Sequence, residues 1–304
     1  MTSNKVFMAF GAGRESTDGG SFAKYVGVGQ FKVLAVNPTK EELGKIYGTS
    51  IDNDIEYTSK DATDGTDQVR IDFIIESVAE KNNGVELKTK ASYFLKNAPR
   101  FNAAKTKVQV INAYGESTWL DLGVAQAGGI PENQSWFEGP YRPALVGEEE
   151  LTAFLKNYLN IPVKSWKDKN GNVKFIEDKT LAEARLEKIS SYFKGNVKEL
   201  QDIVKFQPNN TIQLPLGVKL TEDNKEYQTV FTRMTLKSNV KDYTKLEAAI
   251  KDAQDNGAYT GVTFKVGPLQ VYGVEATSFT ETATDASPAA SAANFAAFFQ
   301  PKEA

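Results

Sequence analysis

Between Gln68 and Glu76 the chain alternates, with Val69, Ile71, Phe73 and Ile75 on one side and Arg70, Asp72 and Glu76 on the other. A period of two predicts a strand with one buried and one wet face. Tyr25 to Val36 is also β-rich, but apolar on both faces. Gly27 and Gly29 inside it predict a long strand that bends. Next, Thr39-x-x-Glu42 has the spacing of a capping box, opening a short helix that carries Leu43, Ile46 and Tyr47 and stops at Gly48. Asn82-Asn83-Gly84 signals a hairpin into Val85–Lys96, and β-rich segments follow over Lys105–Asn112 and Ser117–Leu122.

Residues 128–147 read as loop, after which a 3.6-residue period takes over. Leu151, Phe154, Leu155, Tyr158 and Leu159 line one helical face, and Thr180-x-x-Glu183 and Asn196-x-x-Glu199 mark further helix starts. Tyr227–Lys237 reads as a strand, 242–256 as a helix closed by Gly257, and Val262–Val274 as a last β segment broken at Gly267-Pro268. Residues 1–23 form a Gly-rich arm with an apolar knot at Val6, Phe7, Met8 and Phe10. Residues 275–304 form a flexible Ala/Ser/Thr tail carrying Phe295, Phe298 and Phe299. The order predicts a mainly β (α+β) domain over 24–274 with a helical insertion at about 144–208. Strands and helices fail to alternate, so a doubly wound sheet is excluded. An OB-like small barrel, with its long bent first strand and a helical connection before the fourth, is the simplest match.

Composition narrows the chemistry. The 304 residues contain no Cys and no His, which removes disulfides, thiol and imidazole catalysis, and the usual zinc and iron–sulfur ligands. The glycine pairs Gly11-x-Gly13 and Gly27-x-Gly29 lack the rest of a phosphate-binding fingerprint. Asp52, Asp54 and Glu56 space like calcium ligands, but Tyr57 and Thr63 stand where that loop needs Gly and Glu. No cofactor, no metal and no catalytic residue is expected. No apolar run reaches the roughly 18 residues of a membrane-spanning helix, so the expectation is a soluble protein without membrane contact.

Charge is segregated along the chain. The total is only -3, yet residues 85–107 carry Lys88, Lys90, Lys96, Arg100, Lys105 and Lys107 against Glu86 alone, a net of +5. The 84 residues before them hold nine basic and thirteen acidic side chains, a net of -4. On a strand Lys88, Lys90, Ser92, Phe94 and Lys96 share a face opposite Val85, Leu87, Tyr93 and Leu95. Lys105, Lys107 and Gln109 form a weaker row on the next strand. The late strand is expected to present Phe231, Arg233 and Lys237. Cations beside exposed rings suit single-stranded nucleic acid, where phosphates meet charge and unpaired bases stack. Trp119 belongs to a second aromatic stretch with Tyr114, Trp136, Phe137 and Tyr141, whose rings are either lids over a core or stacking platforms.

This arrangement resembles the single-stranded DNA-binding proteins of tailed bacteriophages. The stretches YVGVGQFKVLAVNPTKEEL, QVRIDFII, KASYFLKNAPR, KTKVQVINAYGESTWL and GEEELTAFLKNYL suggest a crAss-like phage as the source. The resemblance implies an OB-fold protein acting in phage DNA replication or recombination in the host cytoplasm. Its tail, here Phe295, Phe298 and Phe299, would recruit replication proteins. The tail is only mildly acidic, and the family's zinc-binding branch is excluded by the missing Cys and His. The alternative is a structural or accessory virion protein whose arms clasp neighbouring subunits.

Overall fold

The computed structural model describes residues 23–112, 115–129, 141–160 and 189–273. The arm, the tail with Phe295, Phe298 and Phe299, and the helix expected from Thr180 lie outside them. Four long strands build the body: Tyr25–Val36 (β1), then, past the short Thr58–Lys60 (β2), Asp67–Ser77 (β3) and Lys88–Pro99 (β4), and finally Thr211–Leu220. The first three form an antiparallel meander, and the fourth returns after a long connection to pair with the free side of β1. That order, 4-1-2-3, is a Greek key.

The connection holds two further layers. Lys107–Asn112 (β5), Ser117–Asp121 (β6) and Tyr141–Pro143 (β7) make a separate three-stranded sheet, with the short helix Leu122–Gln126 (α2) behind β6. Leu145–Val146 (β8) then rejoins β4, and the helices Glu148–Tyr158 (α3) and Lys198–Phe206 (α4) precede Thr211–Leu220 (β9). The remaining elements are Glu226–Val230 (β10), Leu236–Lys237 (β11), the helix Thr244–Asp255 (α5), Val262–Phe264 (β12) and Gln270–Val271 (β13). β10, β11 and β12 pair with β9, and β13 with β1. The protein is mainly β: a curled antiparallel half-barrel with a few helices. Among the described residues no helix is long and apolar enough to cross a membrane.

Curling begins in β1. Gly27 has φ +121°, and a Cβ there would lie 2.5 Å from the Pro268 carbonyl oxygen, so only glycine permits the close approach. Along its length β1 exchanges partners: residues 27–32 face β9, while residues 31–36 face β3 across a bulge at Val33/Ala35. The hollow of the half-barrel takes Val69, Ile71, Phe73 and Ile75 from β3 and receives the apolar face of α3, with the Phe154 ring 4.2 Å from that of Phe73. The helix (Lys40–Tyr47, α1) predicted from the capping box is present. The Thr39 hydroxyl accepts from the Glu42 amide, the Glu42 carboxylate accepts from the Thr39 amide, and Gly48 closes it in the left-handed region at φ 67°.

α3 starts differently. Its first residue, Glu148, is 1% exposed, accepts the Leu145 amide and is gripped by both terminal nitrogens of Arg142 at 2.5 and 2.9 Å. The buried Glu148 and the partly exposed Arg142 tie β7, β8 and α3 together.

Three expectations need correction. Residues 128–147 are not all loop, because β7 and β8 form within them, pairing with β5 and β4. The strand expected over Tyr227–Lys237 is broken: it ends at Val230, and only Leu236–Lys237 pairs again. In addition β9, a strand with neighbours on both sides, lies in a segment where none was expected.

Candidate nucleic-acid interface

The alternation of β3 and β4 sends Val69, Ile71, Phe73 and Ile75 with Thr89, Ala91, Tyr93 and Leu95 inward. The outer face is therefore built of cross-strand rows: Lys32–Glu76–Lys88, Ile74–Lys90, Asp72–Ser92, Arg70–Phe94 and Gln68–Lys96. Lys88, Lys90, Phe94 and Lys96 share this face as expected. Toward one end of it Phe94 is 53% exposed, directly across from Arg70.

The cations on the face are engaged. Lys88 lies 3.4 Å from Glu76 and donates to the Ile46 carbonyl at 3.1 Å, while Lys32 holds the same Glu76 at 2.7 Å. Lys90 and Arg70 converge on the buried carboxylate of Asp72 at 3.3 and 3.2 Å. Lys96 meets Asp61 at 3.2 Å and Asp64 at 2.7 Å. Five cations thus stand against four carboxylates on or beside the face. Three cations of the +5 segment, Lys88, Lys90 and Lys96, are thus paired with acids of the -4 segment. Lys88, Lys90, Lys96 and Arg70 still keep 22–30% of their side-chain surface in contact with solvent, which leaves each of them reachable.

The titration of these groups records the pairing. Hydrogen bonds from Lys96, then from Thr66, hold the Asp64 carboxyl down at about 2, and Lys96 is raised by the same contact. Burial pushes Glu76 up, but the hydrogen bond and charge of Lys32, with Lys88 behind them, outweigh it and leave that carboxyl below its ordinary value.

Beside β4 lies a second cluster. Arg100, at the end of the strand, reaches Glu149 and Glu150, both at 3.1 Å, and its guanidinium lies 5.9 Å from the Trp119 ring centroid. Glu149 also accepts from Gln109 at 2.6 Å and Ser117 at 2.8 Å, so α3 is pinned to the three-stranded sheet below Trp119. Trp119 is 38% exposed, and Phe101, one residue past Arg100, is 42% exposed. Sequence reasoning did not single out Phe101, because no periodicity survives past Pro99, nor Arg70, whose outward position in β3 was noted without its place beside Phe94.

The other expected residues do not join these clusters. Lys105 is exposed in the turn before β5, and Lys107 is exposed 4.0 Å from Asp121. Arg233 stands in no strand, and Lys237 is on β11, which pairs with β9 rather than with β3 or β4. Phe231 is a correction: it is fully buried, packed by Tyr259 at 4.9 Å and Phe264 at 5.5 Å, and a ring with no exposed face cannot stack on a base. Tyr141 half-buries its ring and donates its hydroxyl to the Gly129 carbonyl. Tyr114, Trp136 and Phe137 lie outside the described residues, within which no group of acidic side chains is placed to hold a metal ion. Compared with known protein families, characterised proteins and solved structures, the chain matches none.

Proposed function

We propose that the protein binds single-stranded DNA without sequence preference, along the outer face of β3 and β4, in phage DNA replication or recombination. The observation that carries the reading is Phe94, a large apolar ring held half-exposed by a rigid strand and ringed by Arg70, Ser92 and Lys96. A core protein gains nothing from that placement, whereas an unpaired base stacked there gains about 1–3 kcal/mol. Trp119 over Arg100, with Phe101 next to it, offers further rings past the end of the same strand. The Greek-key half-barrel with its bent β1 and helical connection before β9 supports an OB-like reading, and in OB barrels the face of the second and third strands is where oligonucleotides bind. β3 and β4 are the second and third of the four long strands here, which supports the same face. The host cytoplasm follows as the place of action. The reading requires no catalytic group.

The test is fluorescence anisotropy of a labelled oligo-dT at low salt. Binding that weakens linearly in log salt, with a slope of about -0.7 per phosphate engaged, supports the proposal. No binding by the intact chain overturns it.

A further inference from the structure

The hairpin tip between β2 and β3 is a built turn. The Asp61 amide donates to the Thr66 carbonyl at 2.8 Å, the Gly65 amide to the Asp61 carbonyl at 2.9 Å, and Gly65 takes φ +69°. Two side chains complete it, Asp61 Oδ1 accepting from the Thr63 amide at 2.8 Å and Asp64 Oδ1 from the Thr66 amide at 3.0 Å. Each carboxylate therefore spends one oxygen on the turn and aims the other, Oδ2, at the Lys96 ammonium. Lys96 stands two residues from Phe94 on the same face, about 7 Å along the strand. With Arg70 it is one of the two cations flanking Phe94, yet it is held by two negative charges. The local sum is -1, the wrong sign for a phosphate.

We propose that the Asp61–Thr66 turn is a built-in competitor for nucleic-acid phosphates, occupying Lys96 in the free protein and yielding it when a strand is seated. The inference rests on the proposed binding reading. The turn is the exposed tip of a three-residue pairing, so it can swing aside without disturbing the inner face of β3. Lys90 differs, since its partner Asp72 is buried within the sheet and cannot withdraw.

The experiment compares the intact chain with D61N/D64N, binding to labelled oligo-dT. The Asn amide oxygen keeps both turn-closing bonds, so the loop stays formed while its charge is lost. Thermal melting of both proteins verifies that. The variant is expected to bind about tenfold tighter at low salt, the scale of removing unit charges a few ångströms from a phosphate in water. The advantage should shrink at high salt. In a K96A background the same pair of substitutions should give a smaller gain, that of relieving the direct repulsion between the two acids and the phosphate alone. If the intact chain binds and D61N/D64N binds no tighter, or if the gain is undiminished with K96A, the competitor is overturned and the binding reading stands. If neither protein binds, the binding reading fails and takes the inference with it.

Discussion

Phe94 and Phe231 are the same residue type, and both were expected on a wet face, yet their surroundings differ enough to separate binding from folding. Phe94 is 53% exposed and Phe231 is 0% exposed. Truncating Phe94 to Ala removes a ring that contributes little to the core, so stability should change by no more than about 0.5 kcal/mol. If a base stacks on that ring, the loss in binding is about 1–3 kcal/mol, or about 5- to 150-fold in Kd. Phe94→Tyr should retain most of the affinity, because a phenol offers the same face. Phe231→Ala instead empties a site walled by Tyr259 and Phe264. It should cost about 3–5 kcal/mol and lower Tm by about 6–20 °C. Urea unfolding and oligo-dT anisotropy on the same three variants give both readouts. The reasoning is refuted if the intact protein binds and Phe94→Ala binds as well as it does, or if Phe94→Ala is destabilised as much as Phe231→Ala.

The clamp under α3 predicts that Glu148→Gln, which leaves the partly solvated Arg142 facing a neutral partner, costs about 1–2 kcal/mol in urea unfolding; no measurable change would show that water already compensates the pair. Gly27→Ala places a methyl 2.5 Å from the Pro268 oxygen at φ +121°, so about 1–3 kcal/mol of strain should appear as a lower urea midpoint. Asp64 has an ordinary value of 3.8 and sits at about 2 in the folded chain, so its contribution to stability is full above pH 3.8 and is lost as pH falls through about 2. NMR titration of the Asp64 carboxyl should show that low midpoint and its rise toward the ordinary value in Lys96→Ala; a midpoint near the ordinary value in the intact chain would contradict the contact.

What could be read from the sequence was what local pattern governs. The alternation of β3 and β4 and the capping box at Thr39 each depend on neighbours in the chain, and each is present. β9 was missed because it has strands on both sides and Pro215 at its middle, a residue that normally argues against a central strand. The fold tolerates it there because Val28, its partner in register, sends its own amide to the Gly267 carbonyl, and the Pro215 carbonyl receives the Phe231 amide. Phe231 was misplaced for the related reason that the chain leaves strand geometry at Val230, so counting by twos past that point assigned the wrong face.

The charge pattern was legible in amount but not in consequence, because pairing is a matter of register. Only the cross-strand rows bring Glu76 beside Lys88 and Asp72 within reach of Lys90, and only the β2–β3 turn carries Asp61 and Asp64 to Lys96. A strand seated on this face would not meet bare cations. It would exchange carboxylates for phosphates at sites already ion-paired, and such an exchange releases less free energy than neutralising an unpaired lysine. On the proposed reading stacking on Phe94 and its neighbouring rings must therefore carry a larger share of the affinity, and the salt slope should be shallower than a count of the basic residues at 85–107 would imply. On the same reading, Asp61 and Asp64 sit on an exposed turn rather than inside the sheet, so it is at Lys96 that the slope should gain most from removing the acids.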